Sequence, residues 1–257
     1  MSKKRIFIAT SSFGLHSPEI EKLLYDNFII TKNETGRKLN NKELGKKLVD
    51  VDGVIAGTES YNKKILKDNH SLKIISRLGV GIDNLDAEYL NKKGIKIKIT
   101  NTNPSLAVAE LVLGFIIMMQ RNIPFHNHDM KSGIWEKKMG SLLYGKTLGI
   151  VGLGKIGKEL VRLTGPFHLN YIAFDKYKDE EFSKKFNIEY LDLNGLFTKA
   201  DFITIHLNLT SETTGLINKL LLSKMKSSAV IINTSRGEIV NEGDLYSVLK
   251  EKLIKGA

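Results

Sequence analysis

Residues 147–157 read Thr147-Leu-Gly-Ile-Val151-Gly152-Leu-Gly154-Lys155-Ile156-Gly157, and this stretch decides the fold. Five residues of buried-strand character run into three glycines, and Lys158 to Leu163 beyond them carry a helix-compatible pattern. Strand, glycine turn and helix in that order suit a βαβ unit that holds a dinucleotide pyrophosphate. Gly152 permits the tight turn, Gly154 lets the main chain approach the phosphates, and Gly157 lets the helix pack on the strand. The helix start, where Lys155 and Ile156 fall, then offers N–H groups and the positive end of its dipole to the anion. A glycine pattern alone is weak, because a ligand-free turn uses the same residues. Its support is a second strand run, Tyr171-Ile-Ala-Phe174, that ends in Asp175 at the spacing of a carboxylate gripping a ribose 2′-hydroxyl. Such a carboxylate repels a 2′-phosphate, so the expected cofactor is NAD rather than NADP, although Lys176 and Lys178 could neutralise part of its charge.

Strand-length apolar runs alternate with helical patterns along the rest of the chain, which points to the α/β class and parallel sheets. Before the glycine motif the expected strands are Arg5 to Ala9, Phe28 to Ile30, Gly53 to Ala56, Lys73 to Ser76 and Ile95 to Ile99. Helices are expected at Pro18 to Tyr25, with Ser17 as N-cap, and at Lys42 to Val49 and Lys63 to Lys67. Asn101-Thr102-Asn103-Pro104 breaks the pattern, and an apolar helix from Ser105 to Met119 follows, with an irregular stretch from Arg121 to Gly145 after it. The strands expected beyond are Thr147 to Gly152, Tyr171 to Asp175, Ile188 to Tyr190, Phe202 to His206 and Val230 to Asn233. We therefore expect two doubly wound domains, 1–101 and 102–257.

Composition narrows the function classes. With 42% hydrophobic and 26% charged residues the chain has the balance of a folded protein. It has no cysteine, so neither disulfides nor thiolate chemistry enter, and a cytoplasmic location is the simplest expectation. The basic opening is followed at once by a strand-like run, which does not read as an export signal. Leu106 to Met119, the longest apolar stretch, is shorter than the roughly 20 residues of a membrane span and is read as a buried or interface helix, with a homodimer in view and Glu110 as a buried structural carboxylate. The net charge of +11 is spread along the chain without a basic stripe or aromatic platform, so no nucleic-acid partner is expected. His126-Asn-His128 lacks further ligands nearby, and no metal site is expected.

Several stretches resemble the D-isomer-specific 2-hydroxyacid dehydrogenases, in particular their phosphoglycerate dehydrogenase branch. Ser76-Arg77-Leu-Gly79-Val80-Gly81-Ile-Asp83-Asn84-Leu-Asp86 is similar to that branch's substrate loop. Asn101 to Pro104 with Val108-Ala109-Glu110, and Gly133-Ile-Trp135, resemble its hinge and interdomain helix region; Leu148 to Gly157 resembles its nucleotide loop. Ala200-Asp201-Phe-Ile-Thr-Ile-His206-Leu207-Asn208 and Asn233-Thr234-Ser235-Arg236-Gly237 resemble its later blocks, with Asn208 where the family usually has proline. The resemblance implies a flavodoxin-like substrate domain followed by a Rossmann NAD-binding domain. It implies Arg236 as the catalytic arginine, Arg77, Gly79, Val80 and Gly81 as substrate-binding, and Val80, Gly152, Gly154, Lys155, Ile156, Gly157, Asp175, His206, Leu207, Thr234, Ser235 and Arg236 as cofactor-binding.

The implied reaction moves a hydride between NAD and a small, anionic D-2-hydroxy acid or its 2-keto partner, with 3-phosphoglycerate-like acids among the candidates. Arg236 suits the grip on the carboxylate, since its planar fork binds such a group bidentately. In the family the segment that follows Lys255-Gly256-Ala257 adds a strand with an Asp, then a catalytic Glu and His. The 257 residues are therefore expected to be a piece that leaves one sheet edge unpaired, tends to aggregate and is inactive alone. His206 or His16 as a substitute base, a cofactor-sensing corepressor-like protein and a formate or phosphite oxidation are the alternatives that the same motifs leave open.

Overall fold

The computed structural model describes residues 3–102 and 104–257, so Met1, Ser2 and the Asn103 of the expected hinge lie outside the described residues. The chain divides into two compact units, Met1–Asn103 and Pro104–Ala257.

The first unit is built from β1 (Arg5–Ile8), α1 (Pro18–Asn27), β2 (Ile29–Lys32), α2 (Asn41–Lys47), β3 (Gly53–Ala56), β4 (Ile74–Arg77), α3 (Ala87–Lys92) and β5 (Lys96–Ile99). Its strands form one parallel sheet in the order β2-β1-β3-β4-β5, the flavodoxin-like arrangement. Burial follows position. Central β3 is covered almost throughout, whereas edge strand β2 alternates between exposed and half-buried residues and edge strand β5 is exposed except at Ile97. Phe7, Leu44, Val54, Ile75 and Leu90 lie in its core. A capping box at Asn40 and Glu43 starts α2: the Asn40 carboxamide accepts the N–H groups of Lys42 and Glu43, and Glu43 accepts that of Asn40.

The second unit runs α4 (Ser105–Gln120), α5 (Ile123–Lys131), β6 (Thr147–Val151), α6 (Lys155–Thr164), β7 (Asn170–Phe174), α7 (Glu180–Phe186), β8 (Ile188–Tyr190), α8 (Leu193–Lys199), β9 (Phe202–Ile205), α9 (Lys219–Leu222), β10 (Val230–Asn233) and α10 (Glu242–Lys250). Its parallel sheet has the order β10-β9-β6-β7-β8, the first five strands of the 3-2-1-4-5 Rossmann pattern. One face packs Leu160 and Val161 of α6 with Val112 and Ile116 of α4. The other carries Leu196 and Phe197 of α8, Leu222 of α9 and Val248 of α10. Both faces covered is why β6 and β9 are near-continuous apolar runs.

Some expectations need correction. Lys63 to Lys67 form turns and not a helix, because Asn62 Oδ1 accepts the N–H groups of Lys64 and Ile65 and holds the chain in a local turn. The stretch 121–145 is not wholly irregular, since it contains α5 with Pro in its first turn. Ser17 precedes α1 but makes no side-chain cap. Glu110 is exposed: α4 buries only Ser105, Ala109, Val112, Ile116 and Gln120, a stripe at helical spacing that passes Glu110 by. The outer edge of β10 is partly paired, because Gly256 bridges Val230 and accepts the N–H of Ile231 at 3.1 Å. Among the described residues no single helix is long and apolar enough to cross a membrane.

Candidate functional site

The carboxyl ends of β6, β7, β9 and β10 gather the second unit's expected site residues on one edge of its sheet. Gly152 ends β6 at φ +99°, a conformation that side-chain-bearing residues rarely adopt, and a Cβ there would lie 3.0 Å from the His206 backbone. At Gly157 a Cβ would meet Gly152 O and Ile150 Cγ2 at 2.9 Å, which is the close packing of α6 on β6. Gly154 differs. A Cβ on it would meet nothing within 4 Å, so its small size serves no contact inside the unit. Gly154 is also the N-cap of α6, where no side chain caps the helix and no acid occupies the first turn. Lys155 and Ile156 therefore open a helix whose N–H groups and positive dipole end face open space.

Asp175 follows β7 and is tied to this loop. Its Oδ2 accepts the Leu153 N–H at 2.7 Å and its Oδ1 accepts the Tyr177 N–H at 2.9 Å, so the carboxylate is fixed beside the glycine turn. Leu153 was not singled out from sequence, although it sits within the glycine motif. The two neighbouring lysines turn elsewhere: Lys176 lies 3.8 Å from Glu212, and Lys178 stands over the Tyr190 ring.

His206 and Leu207 follow β9. The His206 residue is partly covered, but both ring nitrogens are out of reach of solvent and lack a hydrogen-bond partner among the described residues. Burial pushes its pKa down to about 4, so the ring is neutral near pH 7. Beyond β10, Asn233 shapes the next turn: its Oδ1 accepts from the Ser235 amide and hydroxyl at 3.0 and 2.7 Å, and its Nδ2 donates to Arg236 O at 2.8 Å. Thr234 Oγ1 is buried and without a partner among the described residues, and Arg236 Nη1 donates to Ser235 O at 2.9 Å. Buried polar atoms left unsatisfied are costly, and such atoms at a strand edge mark where a ligand completes the bonding.

These features fit a dinucleotide. An uncapped helix start over open space suits a pyrophosphate, a fixed carboxylate one strand away suits a ribose, and the orphaned His206 and Thr234 atoms offer polar contacts at the same edge.

In the first unit the expected substrate residues lie past β4. Arg77 ends that strand, and its Nη1 donates to Leu78 O. Gly79 has φ +138°, and a Cβ there would run into the Arg77 side chain, so glycine is what lets the guanidinium lie across the loop. The Gly79 N–H already donates to Thr100 Oγ1 at 2.8 Å, and Gly79 O accepts the Thr100 N–H at 3.1 Å. Gly79 is thereby tied to Thr100, and Val80, next in the loop, is 47% exposed. Thr100 was missed because a threonine past a strand end carries no signal of its partner.

Residues 113–257 match the family described as D-isomer specific 2-hydroxyacid dehydrogenase, NAD binding domain. The chain is 38% identical over 229 residues to D-3-phosphoglycerate dehydrogenase of Methanocaldococcus jannaschii, covering 87% of this chain and 44% of that protein. It is 37% identical over 225 residues to hydroxypyruvate reductase of Thermotoga maritima, covering 86% of this chain and 71% of that protein. The apo-structure of D-lactate dehydrogenase from Escherichia coli superposes with a TM-score of 0.82 at 26% identity, over 98% of this chain and 79% of the other. The chain thus spans less than half the length of the first of these relatives.

Proposed function

Because the chain belongs to the D-isomer specific 2-hydroxyacid dehydrogenase family, with NAD as cofactor, we propose that it takes part in hydride transfer between NAD and a small D-2-hydroxy acid or its 2-keto partner. The observation that carries this reading is the carboxyl edge of the second sheet, where an uncapped helix over Gly154, the fixed Asp175 and the Thr234-Ser235-Arg236 turn stand together. NAD, when bound, accepts or donates the hydride. The α6 N-terminus with Gly154, Lys155 and Ile156 holds the pyrophosphate. Asp175 accepts a hydrogen bond from the adenosine ribose, and His206, Leu207, Thr234 and Ser235 contact the cofactor farther along. Arg236 grips the substrate carboxylate and polarises the C2 oxygen, and Arg77 and the Gly79-Val80-Gly81 loop are the substrate-binding residues proposed for the first unit.

The test separates the two grips. NADH binding is followed by fluorescence, and a 2-keto acid is then titrated into the NADH complex. Arg236→Lys is expected to keep NADH affinity within about threefold and to weaken the keto acid by about tenfold or more, because an ammonium lacks the planar fork. Unchanged keto-acid binding would remove Arg236 from the site.

For cofactor choice, NADH is expected to bind at least about tenfold more tightly than NADPH, since Asp175 faces the extra phosphate at close range. Asp175→Ser should abolish most of that preference, and equal affinities in the unaltered chain would contradict the assignment.

We also propose a homodimer through the segment around α5. Phe125, Trp135, Met139, Leu142 and Tyr144 are 59–88% exposed there, more large apolar surface than a solvated face normally carries. Light scattering at micromolar concentration should give twice the chain mass, and Trp135→Glu should shift it to the monomer. A monomeric unaltered chain would reject the interface.

A further inference from the structure

Within the first unit a groove of about 480 Å³ lies between α2 and the turn segment 62–68 that connects β3 to β4. Two lysines line it from each bank, Lys42 and Lys46 from the helix, Lys64 and Lys67 from the turn. Asp68 is the one acid in the wall, and it stands 3.9 Å from Lys67 in a loose, exposed pair that water screens. Lys42, Lys46 and Lys64 have no ion-pair partner among the described residues. Glu43, the only acid within α2, is drawn to Arg37 at 2.7 Å and lies outside the wall. Lys38, Lys47, Asp50, Lys63 and His70, the other titratable residues of 38–50 and 62–70, also lie outside it, and Asp50 is the single acid among them.

The backbone fixes both banks. Asn69 Nδ2 donates to Leu48 O and, at 3.1 Å, to Val51 O, while its Oδ1 accepts the N–H groups of Ser71 and Leu72 at 3.0 and 2.7 Å. The turn is thereby clamped to the end of α2, and Leu44 of the helix and Leu66 of the turn anchor the two in the core. A Cβ on Gly45 would lie 3.4 Å from Ile65 O, so helix and turn are in contact at that point. Val49, also in the wall, is 45% exposed and adds an apolar surface between the cations.

Stability does not account for this charge arrangement. Lys42 and Lys46 are four apart on one helix, where like charges repel and an acid at either position would attract. The wall has lysines and no arginine, so it offers point charges on flexible stems and not the planar forks that shape a site to one small anion. An apolar strip between two rows of cations has two needs, apolar cover and negative charge. One kind of partner meets both, a segment that presents apolar side chains flanked by carboxylates. We propose that the groove between α2 and residues 62–68 docks an acidic amphipathic segment of another protein, with its apolar side chains over Val49 and its carboxylates on the four lysines. The surface belongs to the first unit alone and does not depend on the dehydrogenase reading.

The experiment measures, by fluorescence anisotropy on the 257-residue chain at about 50 mM salt, the binding of a labelled peptide of about twelve residues, with leucines three and four apart and glutamates between them. A dissociation constant in the micromolar range is expected. Lys42→Glu with Lys46→Glu, or Lys64→Glu with Lys67→Glu, should each weaken the peptide by at least about tenfold, and the second pair carries the test should the first unfold α2. Lys219→Glu with Lys224→Glu makes the same change of net charge at exposed positions of the second unit and should move binding by less than about threefold. The peptide with serines for its leucines should bind at least about fivefold more weakly. No binding at millimolar peptide overturns the proposal, as does an equal loss from the pair in the second unit, which would make net charge the whole cause. Equal binding of the serine peptide, or displacement of the leucine peptide by inorganic tripolyphosphate at a lower concentration than the peptide's own dissociation constant, overturns the assigned partner in favour of a bare polyanion.

Discussion

Gly154→Ala is expected to cost the chain no more than about 1 kcal/mol of stability while NAD affinity falls by about thirtyfold to a hundredfold. The added methyl meets nothing within 4 Å inside the protein, and an N-cap change from glycine to alanine costs about 0.5–1 kcal/mol. The same methyl occupies the space that the pyrophosphate needs, and overpacking a close contact costs about 2–3 kcal/mol. Gly152→Ala should behave in the opposite way. Its φ of +99° and the 3.0 Å approach to the His206 backbone would each cost about 1–3 kcal/mol, so the folded state itself loses stability. Chemical denaturation and NADH titration on both variants check the contrast. A loss of stability well above about 1 kcal/mol in Gly154→Ala, or undiminished NAD binding by it, would show that the space over Gly154 is not the phosphate seat.

Stability is also expected to fall by about 3 kcal/mol as the pH drops from about 6.5 to about 4, through His206 alone. The folded ring stays neutral down to about 4, whereas the unfolded chain takes up a proton near 6.5. Between those values the unfolded state binds more protons, so stability rises with pH across the window and is lost on acidification. Carboxylates contribute lower down. Glu43, held at about 2 by Arg37, and Asp52, Asp129 and Asp179, held low by their hydrogen-bond donors, lose their contribution only below the ordinary carboxylate range. Urea denaturation at pH 7, 5.5 and 4.5 on the unaltered chain and on His206→Gln should therefore show a slope in the first and a nearly flat response in the second. A slope that survives the substitution would place the titrating group elsewhere.

The nucleotide edge was readable because its requirements are local. Turn, dipole and close packing fall within eleven consecutive residues, and Asp175 stands one strand away at a spacing that the fold dictates. The strands were likewise legible, since both faces of each central strand are covered and the apolar run is continuous. What escaped depended on partners distant in sequence or on which side of a helix faces the core. Glu110 looked buried because the whole of α4 is apolar, yet a helix of such composition still buries only the stripe that meets α6. Leu153 acts through its backbone N–H and Thr100 through a hydroxyl whose partner lies 21 residues away, and no sequence pattern announces either. The false helix at Lys63 to Lys67 had good helix formers but lost to the carboxamide of Asn62.

Each apolar core is closed within its own unit: residues 7–97 supply the first, and residues 108–254 supply both faces of the second. Seen as a sequence of events during synthesis, this separation sets an order in time. At about 5–20 residues per second the ribosome needs roughly ten to thirty seconds to add the roughly 150 residues of the second unit. A small α/β domain folds in milliseconds to seconds. The first sheet can therefore complete itself while the glycine loop is still unmade, and its five strands have no second set of apolar strands with which to mispair. The second sheet must wait longer for its own closure, because β6 lies between β7 and β9 and is flanked on both sides only after residue 205 has been added.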